Sequence, residues 1–541
     1  MADNMKNIIC GPPECEGPLH LSYSEYLLKR LKEGGDATAQ ISAGTGESVT
    51  YAQILQRSIN VAVSLGKLGV KKGDVIALSC ENRFEFTVCA IGIMFAGAVN
   101  ATLNVLYSRD ELVHAMNISK PKMIFCSPFT VYNIIDAITD IPSVQKLIAI
   151  GDEAAEPDMI MYEDLVKENV NINSYKPVHV EVLDPLVILC SSGTTGLPKG
   201  VILTHNNFSV CNGHLMDMLI KQSHEARKCL LTIMPWFHAY GFITHLITLN
   251  LHMKYVFIVR FEEEAFLKAI QDYKITVTML VPPLMVFLAK HPLVDKYDLS
   301  SIKEIWCGAA PLSKELQLAV TKRIGVSCIK QAYGLTETTL AVTHSDVGAA
   351  FKYGSCGMVV PGTQMKVVDL KSGEALGANQ EGELCIKGAL NMAGYIGDAA
   401  STEAIFDSQG WLHTGDIGYY DEDYFFYIVD RLKELIKYKA FQVPPAELEA
   451  LLLEHPGVKD TGVVGLPDDV SGELPLAFVV RQANSNVTEK EIQEFVAKRV
   501  SPHKRLRGGV VFVDEIPKNP SGKILRRDLR DMLKKVPKSK L

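Results

Sequence analysis

Apolar and polar positions alternate between two periods along this chain, and the alternation predicts its architecture. From Thr50 onward, short apolar runs such as 74–80 and 122–126 are separated by stretches with helical spacing such as 51–68. The same order resumes after the stretch that begins at Ser191, with predicted strands at 229–234, 255–259, 277–281 and 302–307. Strands that alternate with helices build parallel sheets covered by helices on both faces. We therefore expect an α/β fold with two lobes in a large N-terminal body.

The pattern changes in the last third of the chain. Glycine becomes frequent and helical periodicity disappears at 351–427, which predicts a small antiparallel β unit. A charged stretch then begins at Asp430 and has no apolar face of normal width, so we expect a hinge near 430–433. Beyond it, helices at 445–455 and 489–500 alternate with strands near 462–465, 476–480 and 510–513. Residues 1–430 are thus predicted to form the body, and residues 431–541 a separate α+β domain.

Composition excludes several classes of protein. The chain has 541 residues, of which 47% are hydrophobic and 22% charged, so it has ample material for more than one globular domain. A net charge of −7 argues against a nucleic-acid-binding protein, whose footprint is basic. The twelve cysteines show no CxxC pair and no zinc-like Cys/His spacing, and no signal peptide is evident, so a reducing compartment is expected. The longest uncharged run, 86–108, is broken by glycine and asparagine and predicts a buried helix, not a membrane span.

The stretch SSGTTGLPKG, residues 191–200, has the features of a phosphate-binding loop. It follows the apolar run 185–191, contains four hydroxyl side chains, and ends with the positive charge of Lys199. Gly193 and Gly196 permit tight turns and close approach of the backbone. Pro198 and Gly200 flank the lysine where a P-loop would have glycine and then serine or threonine. The chain is therefore not a P-loop NTPase.

Four further motifs follow predicted strands, where ligands of open α/β sheets bind. WFHAYG contains His238, and a lone histidine between aromatics is more often a core residue than a catalyst. GAAP, 308–311, is a turn of small residues that a flat ring could press against. In YGLTE, 333–337, a hydroxyl and a carboxylate suit a phosphate with Mg²⁺, although Thr336 and Glu337 also suit a helix start. Finally, TGD ends at Asp416, whose carboxylate can accept both ribose hydroxyls.

Together these motifs, in this order and spacing, resemble the adenylate-forming superfamily along essentially the whole chain. That family includes acyl- and aryl-CoA synthetases, beetle luciferases and the adenylation domains of peptide synthetases. The small domain adds NPSGK, 519–523, which is similar to the family's loop that bears a catalytic lysine. Within the family, DRLKELIKYK, GLPDD and the terminal SKL most closely resemble luciferase-like fatty acyl-CoA synthetases of insects.

The resemblance implies a role for each matched residue. The ATP phosphates would be held by Ser191, Ser192, Gly193, Thr194, Thr195, Gly196 and Lys199, the adenine by Gly308, Ala309, Ala310 and Tyr333, and the ribose by Asp416 and Arg431. Thr336 would contact the α-phosphate, Glu337 would help to hold Mg²⁺, and His238 would line the acid pocket. Lys523 would bridge the carboxylate and the α-phosphate during adenylation. Rotation about the hinge would then withdraw Lys523 and present the face with Lys437 for the second half-reaction.

The implied reaction is the ATP-dependent activation of a carboxylic acid followed by transfer to CoA. Two anions must be brought together, and a preorganised lysine with Mg²⁺ offsets their repulsion, so no enzyme nucleophile is needed. Leu340 and Cys211 stand where luminous relatives carry serine and arginine, which favours a medium- or long-chain fatty acid over luciferin. Ala440 replaces a usual glycine beside the pantetheine route. The alternatives are a luciferase, an adenylation enzyme that loads a carrier protein, and a catalytically inactive binding protein.

The last three residues, Ser539, Lys540 and Leu541, form a peroxisomal address. A frayed basic tail is the other interpretation of this segment. We expect the peroxisomal import receptor to be a partner of the protein and the peroxisome to be its location.

Overall fold

The chain folds into two large mixed sheets, a small antiparallel sheet and a separate C-terminal sheet, with helices between the strands. The computed structural model describes residues 7–13, 21–191, 198–222, 229–326, 328–345, 352–439, 441–468, 470–519 and 522–534. Its α-helices in these ranges are α1 (Tyr23–Gly34), α2 (Tyr51–Lys67), α3 (Phe84–Phe95), α4 (Arg109–Ser119), α5 (Val131–Ile138), α6 (Tyr162–Val166), α7 (His205–Gln222), α8 (Ala239–Asn250), α9 (Glu263–Asp272), α10 (Pro282–Lys290), α11 (Lys314–Ile324), α12 (Ala399–Ile405), α13 (Pro445–Glu454), α14 (Glu489–Ala497) and α15 (Arg526–Leu533).

The strands are short, as the apolar runs predict. They are β1 (Ile9–Cys10), β2 (Thr38–Ser42), β3 (Ser48–Thr50), β4 (Val75–Ser79), β5 (Val99–Thr102), β6 (Met123–Cys126), β7 (Lys146–Ala149), β8 (Ile160–Met161), β9 (Pro185–Ser191), β10 (Lys199–Thr204), β11 (Cys229–Thr232), β12 (Lys254–Phe257), β13 (Val277–Leu280), β14 (Glu304–Cys307), β15 (Cys328–Tyr333), β16 (Thr343–His344), β17 (Met358–Val359), β18 (Thr363–Val368), β19 (Gly382–Gly388), β20 (Gly394–Tyr395), β21 (Leu412–Tyr420), β22 (Phe426–Arg431), β23 (Ile436–Tyr438), β24 (Phe441–Val443), β25 (Val458–Asp468), β26 (Gly472–Arg481) and β27 (Gly509–Phe512).

The sheet topology confirms the predicted α/β body with two lobes, a small β unit and an α+β C-terminal part. The first large sheet has the order β20-β10-β9-β5-β4-β6-β7-β8 and is parallel from β9 onward. The second has the order β17-β16-β15-β14-β13-β11-β12-β2-β3 and is parallel from β15 to β2. The small sheet, β1-β18-β19-β21-β22, is antiparallel.

Strands from Ile436 onward form a sheet of their own, β24-β23-β26-β25 with β27 beside β26. The charged stretch after Asp430 is more ordered than the sequence predicts, because β22 continues to Arg431 and β23 begins at Ile436. Four residues, 432–435, thus separate the two sheets. This gap lies at the predicted hinge.

The uncharged run at 86–108 begins in α3, which packs in the core of the body. Ten of the twelve residues of α3 are buried, and Phe86 contacts Trp236 and Phe242 edge-on at ring distances of 5.7 and 6.2 Å. Such aromatic pairs stabilise the packing of the helix beyond the area that they bury. Among the described helices, none has the length and apolar character needed to cross a membrane.

Helix α1 is an element that the sequence reading left undescribed. Ser22 caps it through a capping box with Glu25, and Tyr23, Leu27 and Leu31 on one face are fully buried. The motif Ser-x-x-Glu was therefore a usable signal in a region that lacks clear periodicity. Thr50 with Gln53 begins α2 in the same way.

Parallel strands of the second large sheet end at one edge, and this edge positions most of the candidate residues. β13, β14 and β15 are neighbours that end at Leu280, Cys307 and Tyr333. The loops that follow them therefore converge, as expected for ligand sites of open α/β sheets.

Candidate active site

Asp416 lies at the centre of a buried polar cluster. It is 4% exposed, and its Oδ2 accepts a 2.8 Å hydrogen bond from the hydroxyl of Tyr333. Arg431, its register partner on β22, brings Nε to 3.1 Å from Oδ1. Burial, together with the carboxylate of Asp416, raises the pKa of Tyr333 well above its usual value, so the phenol remains a donor. Strands from two different sheets thus meet at this carboxylate.

Lys523 reaches the same cluster from the C-terminal domain. Its loop is a tight turn in which the amide of Lys523 donates to Asn519 Oδ1 at 2.8 Å. Burial, with a smaller contribution from the positive charge of Arg431, lowers the pKa of Lys523 to about 8. The charge of Lys523 also lowers the pKa of His238. The motifs that contain Lys523, Arg431 and His238 therefore lie close together.

Gly522 shows how this loop docks on the body. Its φ is +81°, and a Cβ at this position would lie 3.1 Å from Cγ2 of Val281 and 3.6 Å from Pro283. A side chain would therefore be strained by the backbone and tight against the wall of the body. The absence of a side chain lets Lys523 approach the cluster.

His238 is a half-buried, neutral cap at the start of α8. Its Nδ1 accepts a hydrogen bond from the amide of Tyr240 at 3.4 Å. Burial, followed by the charge of Lys523, lowers the pKa of His238 to about 4. The imidazole is therefore neutral at physiological pH, and it offers a polar group without a net charge.

An apolar cavity of about 130 Å³ extends from His238 into the body. Thr336 is one of its few polar lining residues, and most of the remaining wall is aliphatic or aromatic. The lining includes Leu215, Leu230, Ile247, Leu251, Met279 and Trp306. Such a cavity favours an apolar ligand with one polar group.

A larger cleft of about 720 Å³ lies between the body and the C-terminal domain. Asp416, Arg431 and Lys523 line it. It shares one wall with the apolar cavity, formed by Ala309 and residues 332–335. A ligand in the cleft and a ligand in the cavity would therefore contact each other at this wall.

The wall has unusual backbone geometry. Ala309 adopts φ +70°, and Ala309 and Ala310 are exposed to the cleft after Gly308. The amide of Gly308 donates to Leu280 O at 3.3 Å, which ties this turn to the neighbouring strand. Positive φ at a residue other than glycine costs free energy, and such positions often accompany functional sites.

Lys199 and Glu337 are linked by Tyr395, a residue that the sequence reading missed. Lys199 begins β10, and its Nζ lies 4.8 Å from the centre of the Tyr395 ring and 2.7 Å from Ser401 Oγ. The hydroxyl of Tyr395 donates to Glu337 Oε1 at 2.9 Å. Among the described contacts only Tyr395 donates to this carboxylate, so a second oxygen is available. An oxygen of this kind fits Mg²⁺, which prefers one or two carboxylates together with substrate oxygens.

Part of the signature loop lies outside the described residues, namely Ser192, Gly193, Thr194, Thr195 and Gly196. Its two ends are described. Ser191 ends β9 with its hydroxyl buried and without a described partner, and it pairs with Lys199 across β9 and β10. Ala440 and the terminal tripeptide 539–541 also lie outside the described residues.

The two positions that distinguish the chain from luminous enzymes have different environments. Leu340 lines the apolar cavity, in a backbone conformation with φ +85°. Cys211 is buried on α7 in the core of the body, and among the described residues it is not part of the cavity wall. The expectation that both positions shape the pocket therefore holds for Leu340 and is wrong for Cys211, because that helix turns this side chain into the core.

Lys437 lies away from the cleft. It is exposed on β23, and its amide donates to Glu473 Oε2 at 2.7 Å. It is absent from the described lining of the cleft that contains Lys523. Of the two lysines, therefore, Lys523 lines the cleft and Lys437 does not, among the described residues.

Lys290 joins the body to the C-terminal domain and had no signal in the sequence. From the end of α10, its Nζ donates to the carbonyl of Leu453 and lies 3.4 Å from those of His455 and Val458. These carbonyls belong to the C-terminal end of α13, to the turn that follows and to the first residue of β25. A cation at this end of a helix satisfies carbonyls that lack helical partners and complements the helix dipole.

Comparisons with known proteins agree with this geometry. The model of the AMP-binding enzyme family matches residues 27–396, and the model of the AMP-binding enzyme C-terminal domain matches residues 447–523. The chain therefore belongs to the family of AMP-binding, adenylate-forming enzymes of the acid–CoA ligase type.

Two groups of curated relatives match over nearly their whole length. Luciferin 4-monooxygenase of Nipponoluciola cruciata is 42% identical over 98% of both chains. 4-Coumarate–CoA ligase 1 of Petroselinum crispum is 40% identical over 96% of this chain and 95% of the relative.

A solved structure adds information about domain arrangement. ATP-bound MatB from Rhodopseudomonas palustris is 26% identical, covers 95% of this chain and 99% of its own, and superposes with a TM-score of 0.84. The apo form of MatB covers the same shares, at 25% identity, with a TM-score of 0.74. The arrangement of this chain is thus closer to that of the ATP-bound form.

Proposed function

We propose that this protein is a CoA ligase for a medium-chain fatty acid, with ATP in the large cleft and the acyl chain in the apolar cavity. The observation that carries the proposal is the wall that the two cavities share at Ala309 and residues 332–335. An acid whose chain fills the cavity would have its carboxylate beside His238 and Thr336. The carboxylate would then face the α-phosphate of ATP across this wall.

Adenylation in this geometry needs charge compensation more than acid–base chemistry. A carboxylate oxygen forms a bond to the α-phosphorus, the bond to the bridging oxygen breaks, and pyrophosphate leaves. Lys523 would hold the two anions together, while Asp416 would accept the ribose hydroxyls and Arg431 would keep that carboxylate in place. Lys199 would contact the phosphates. Glu337 would hold a Mg²⁺ ion that neutralises phosphate charge.

The size of the cavity favours an acid of modest length. A volume of about 130 Å³ is close to the roughly 150 Å³ of an engineered apolar cavity that binds benzene. A long-chain acid would require side chains to move. We therefore rank medium-chain acids above long-chain acids, and both above polar acids.

Oxidation of a luciferin is the second candidate, because a luciferin 4-monooxygenase is 42% identical over nearly the full length. Leu340 argues against it as the main activity, since an aliphatic side chain in the cavity wall offers no hydrogen bond to a polar ring system. Weak light emission would then be a side activity.

We also propose that the C-terminal domain rotates at 430–433 between the two half-reactions. The higher similarity to an ATP-bound arrangement, and the position of Lys523 in the cleft, support the adenylation state for the present structure. In the second state Lys437 would face the cleft, and the sulfur of CoA would attack the acyl carbon and release AMP. Such an exchange of catalytic faces acts as a conformational gate.

The test is pyrophosphate exchange with saturated acids of increasing length, 4-coumarate and luciferin, each with and without CoA. We expect the highest kcat/KM with medium-chain acids and an acyl-CoA product. Exchange without acyl-CoA would favour a carrier-loading enzyme, and no exchange with any acid would favour an inactive binding protein. A preference for 4-coumarate, or bright light with luciferin, would identify that compound as the main substrate in place of a fatty acid.

For location we propose the peroxisome, on the basis of the terminal Ser539, Lys540 and Leu541. The partner would be the receptor that reads this address. A fluorescent fusion that keeps the native C-terminus should be imported into peroxisomes. Removal of the three residues should leave the fusion outside the peroxisome, while activity in vitro is unchanged. Import of the truncated fusion would contradict the proposal.

A further inference from the structure

A cluster of three possible metal ligands lies in the small antiparallel sheet, outside both cavities. Glu383 and Cys385 lie two positions apart on β19, where the register with β21 shifts, and His413 is the register partner of Cys385 on β21. Their ligand atoms all lie within 4.8 Å of one another. Cys385 and His413 are 28 positions apart, so strand pairing and not sequence spacing creates the cluster.

We propose that Glu383, Cys385 and His413 form a binding site for a soft divalent cation of the Zn²⁺ class, and that its occupancy weakens ATP binding. Imidazole, thiolate and carboxylate are the three ligand types that Zn²⁺ takes in proteins. Mg²⁺ prefers sites made of oxygen ligands, so this set selects against the cation of the ATP cleft.

The distances suit a small ion with modest movement. In a tetrahedral zinc site with ordinary bond lengths, neighbouring ligand atoms are about 3.3 to 3.8 Å apart. Cys385 Sγ lies 3.5 Å from His413 Nδ1, within this range. Glu383 Oε2 lies 2.8 Å from the same nitrogen, so this carboxylate must withdraw by less than about 1 Å when an ion replaces their hydrogen bond.

Two of the ligands have polar neighbours. Oε1 of Glu383 accepts a 2.9 Å hydrogen bond from the amide of Gly415. On the other side of the imidazole, Asp407 Oδ2 lies 3.8 Å from His413 Nε2, while its Oδ1 accepts from the amides of Gln409 and Trp411. A carboxylate behind the distal nitrogen is the usual support for a histidine that binds a metal.

Local charge also favours a dication. Lys366 lies 3.8 Å from Asp407 Oδ2 and rests over the ring of Trp411. With the thiolate formed, two carboxylates and one thiolate face one ammonium group, and a divalent ion makes the cluster neutral. His413 is 35% exposed at its side chain, so the ion has a route from solvent.

The proposed effect of the metal ion on ATP binding depends on Gly415. Glu383 fixes the amide of Gly415 directly before Asp416, the proposed ribose ligand. When the carboxylate turns toward a metal ion, this hydrogen bond lengthens and the loop loses its support. Loss of one such bond corresponds to about a fivefold rise in the KM for ATP.

The first experiment adds Co²⁺ alone to the full-length, chelator-treated protein and records the sulfur-to-cobalt charge-transfer absorption. We expect one thiolate-bound Co²⁺ per chain, displaced by Zn²⁺ and not by millimolar Mg²⁺. Cys385→Ala should abolish the band, and Cys89→Ala, which removes an equally buried thiol from the core, should keep it. His413→Gln provides a second ligand variant if Cys385→Ala folds poorly.

The second experiment measures the KM for ATP at saturating Mg²⁺, with and without Zn²⁺. The KM should rise in the natural protein and in Cys89→Ala, and should not change in Cys385→Ala. Absence of the cobalt band, or its persistence in both ligand variants, would overturn the site. A normal band with an unchanged KM would overturn the coupling to ATP.

Discussion

The hydroxyl of Tyr333 donates a 2.8 Å hydrogen bond to Oδ2 of Asp416, a residue 83 positions later in the chain. Tyr333 ends a strand of the second large sheet, whereas Asp416 lies on β21 of the small sheet. One bond thus connects the second large sheet with the small sheet at the proposed nucleotide site. The buried carboxylate depends on it, because a buried acceptor without its donor is costly.

Tyr333→Phe should therefore raise the KM for ATP by about 10-fold, as expected for a lost hydrogen bond to a charged group. Tyr427→Phe is the matched control, because it also removes a tyrosine–aspartate hydrogen bond. That bond, to Asp421, lies at the end of the β21–β22 pair that is farther from Asp416. Pyrophosphate exchange at varied ATP concentration measures the effect. Equal effects of the two substitutions would show that the bond at Asp416 has no special role.

Lys523→Ala should abolish acyl-adenylate formation and largely spare thioester formation from supplied acyl-adenylate. Lys437→Ala should give the opposite pattern, because this side chain is exposed and is not in the described lining of the cleft. Lys534→Ala, on the surface of the C-terminal domain, serves as the control for general effects of lysine removal. Loss of both half-reactions in Lys523→Ala would contradict the assignment.

Adenylation should also depend on pH through Lys523. Burial lowers the pKa of this ammonium group to about 8, so the free enzyme holds the positive charge below pH 8 and loses it above. The kcat/KM for adenylation, which reports on the free enzyme, should fall as pH rises through this value. Lys523→Arg, which stays charged, should remove the decline if it remains active. A decline that is unchanged in this variant would point to another group.

Lys290→Met should reduce adenylation more than thioester formation, because it removes the contact that holds the C-terminal domain in the present arrangement. A loss of about 1 to 2 kcal/mol corresponds to a 5- to 30-fold change in the population of that arrangement. Lys268→Met, at an exposed position of α9, is the control. Rates of the two half-reactions, measured separately, decide the outcome, and a parallel decline of both would argue against a role in domain orientation.

Leu340→Gly should shift the preference toward longer acids and raise light output with luciferin. The change widens the cavity and relieves the backbone at φ +85°. Each additional buried methylene should improve kcat/KM by up to about fourfold. Cys211→Arg should instead lower the melting temperature, because it buries an unpaired guanidinium in the core. An unchanged acid profile in Leu340→Gly would remove this residue from the acid site.

Most of the fold and several residues of the candidate site could be predicted from the sequence, because both depend on the local sequence pattern. Asp416, Tyr333 and Lys523 belong to short sequence motifs. In the structure, these motifs lie on strands or in turns. The resemblance to a known family added the roles.

The remaining features depend on contacts between distant parts of the chain. Tyr395 joins Lys199 to Glu337, and Lys290 caps a helix more than 160 residues later. No local pattern marks either residue. The burial of Cys211 was likewise invisible, since its direction on α7 follows from how that helix packs. Cavity size could not be predicted for the same reason.

The wall shared by the cleft and the apolar cavity limits how substrate specificity can evolve. Residues 332–335 face both spaces, so a substitution that enlarges one also reshapes the other. Selection for a new acid at these positions would carry a penalty in nucleotide use. Changes at residues that line the cavity and are not in the lining of the cleft, such as Leu215, Ile247 or Leu251, are free of this conflict. Lineages that diversify their acids, and engineers who wish to redirect this enzyme, should therefore accumulate substitutions at those positions while residues 332–335 stay constant.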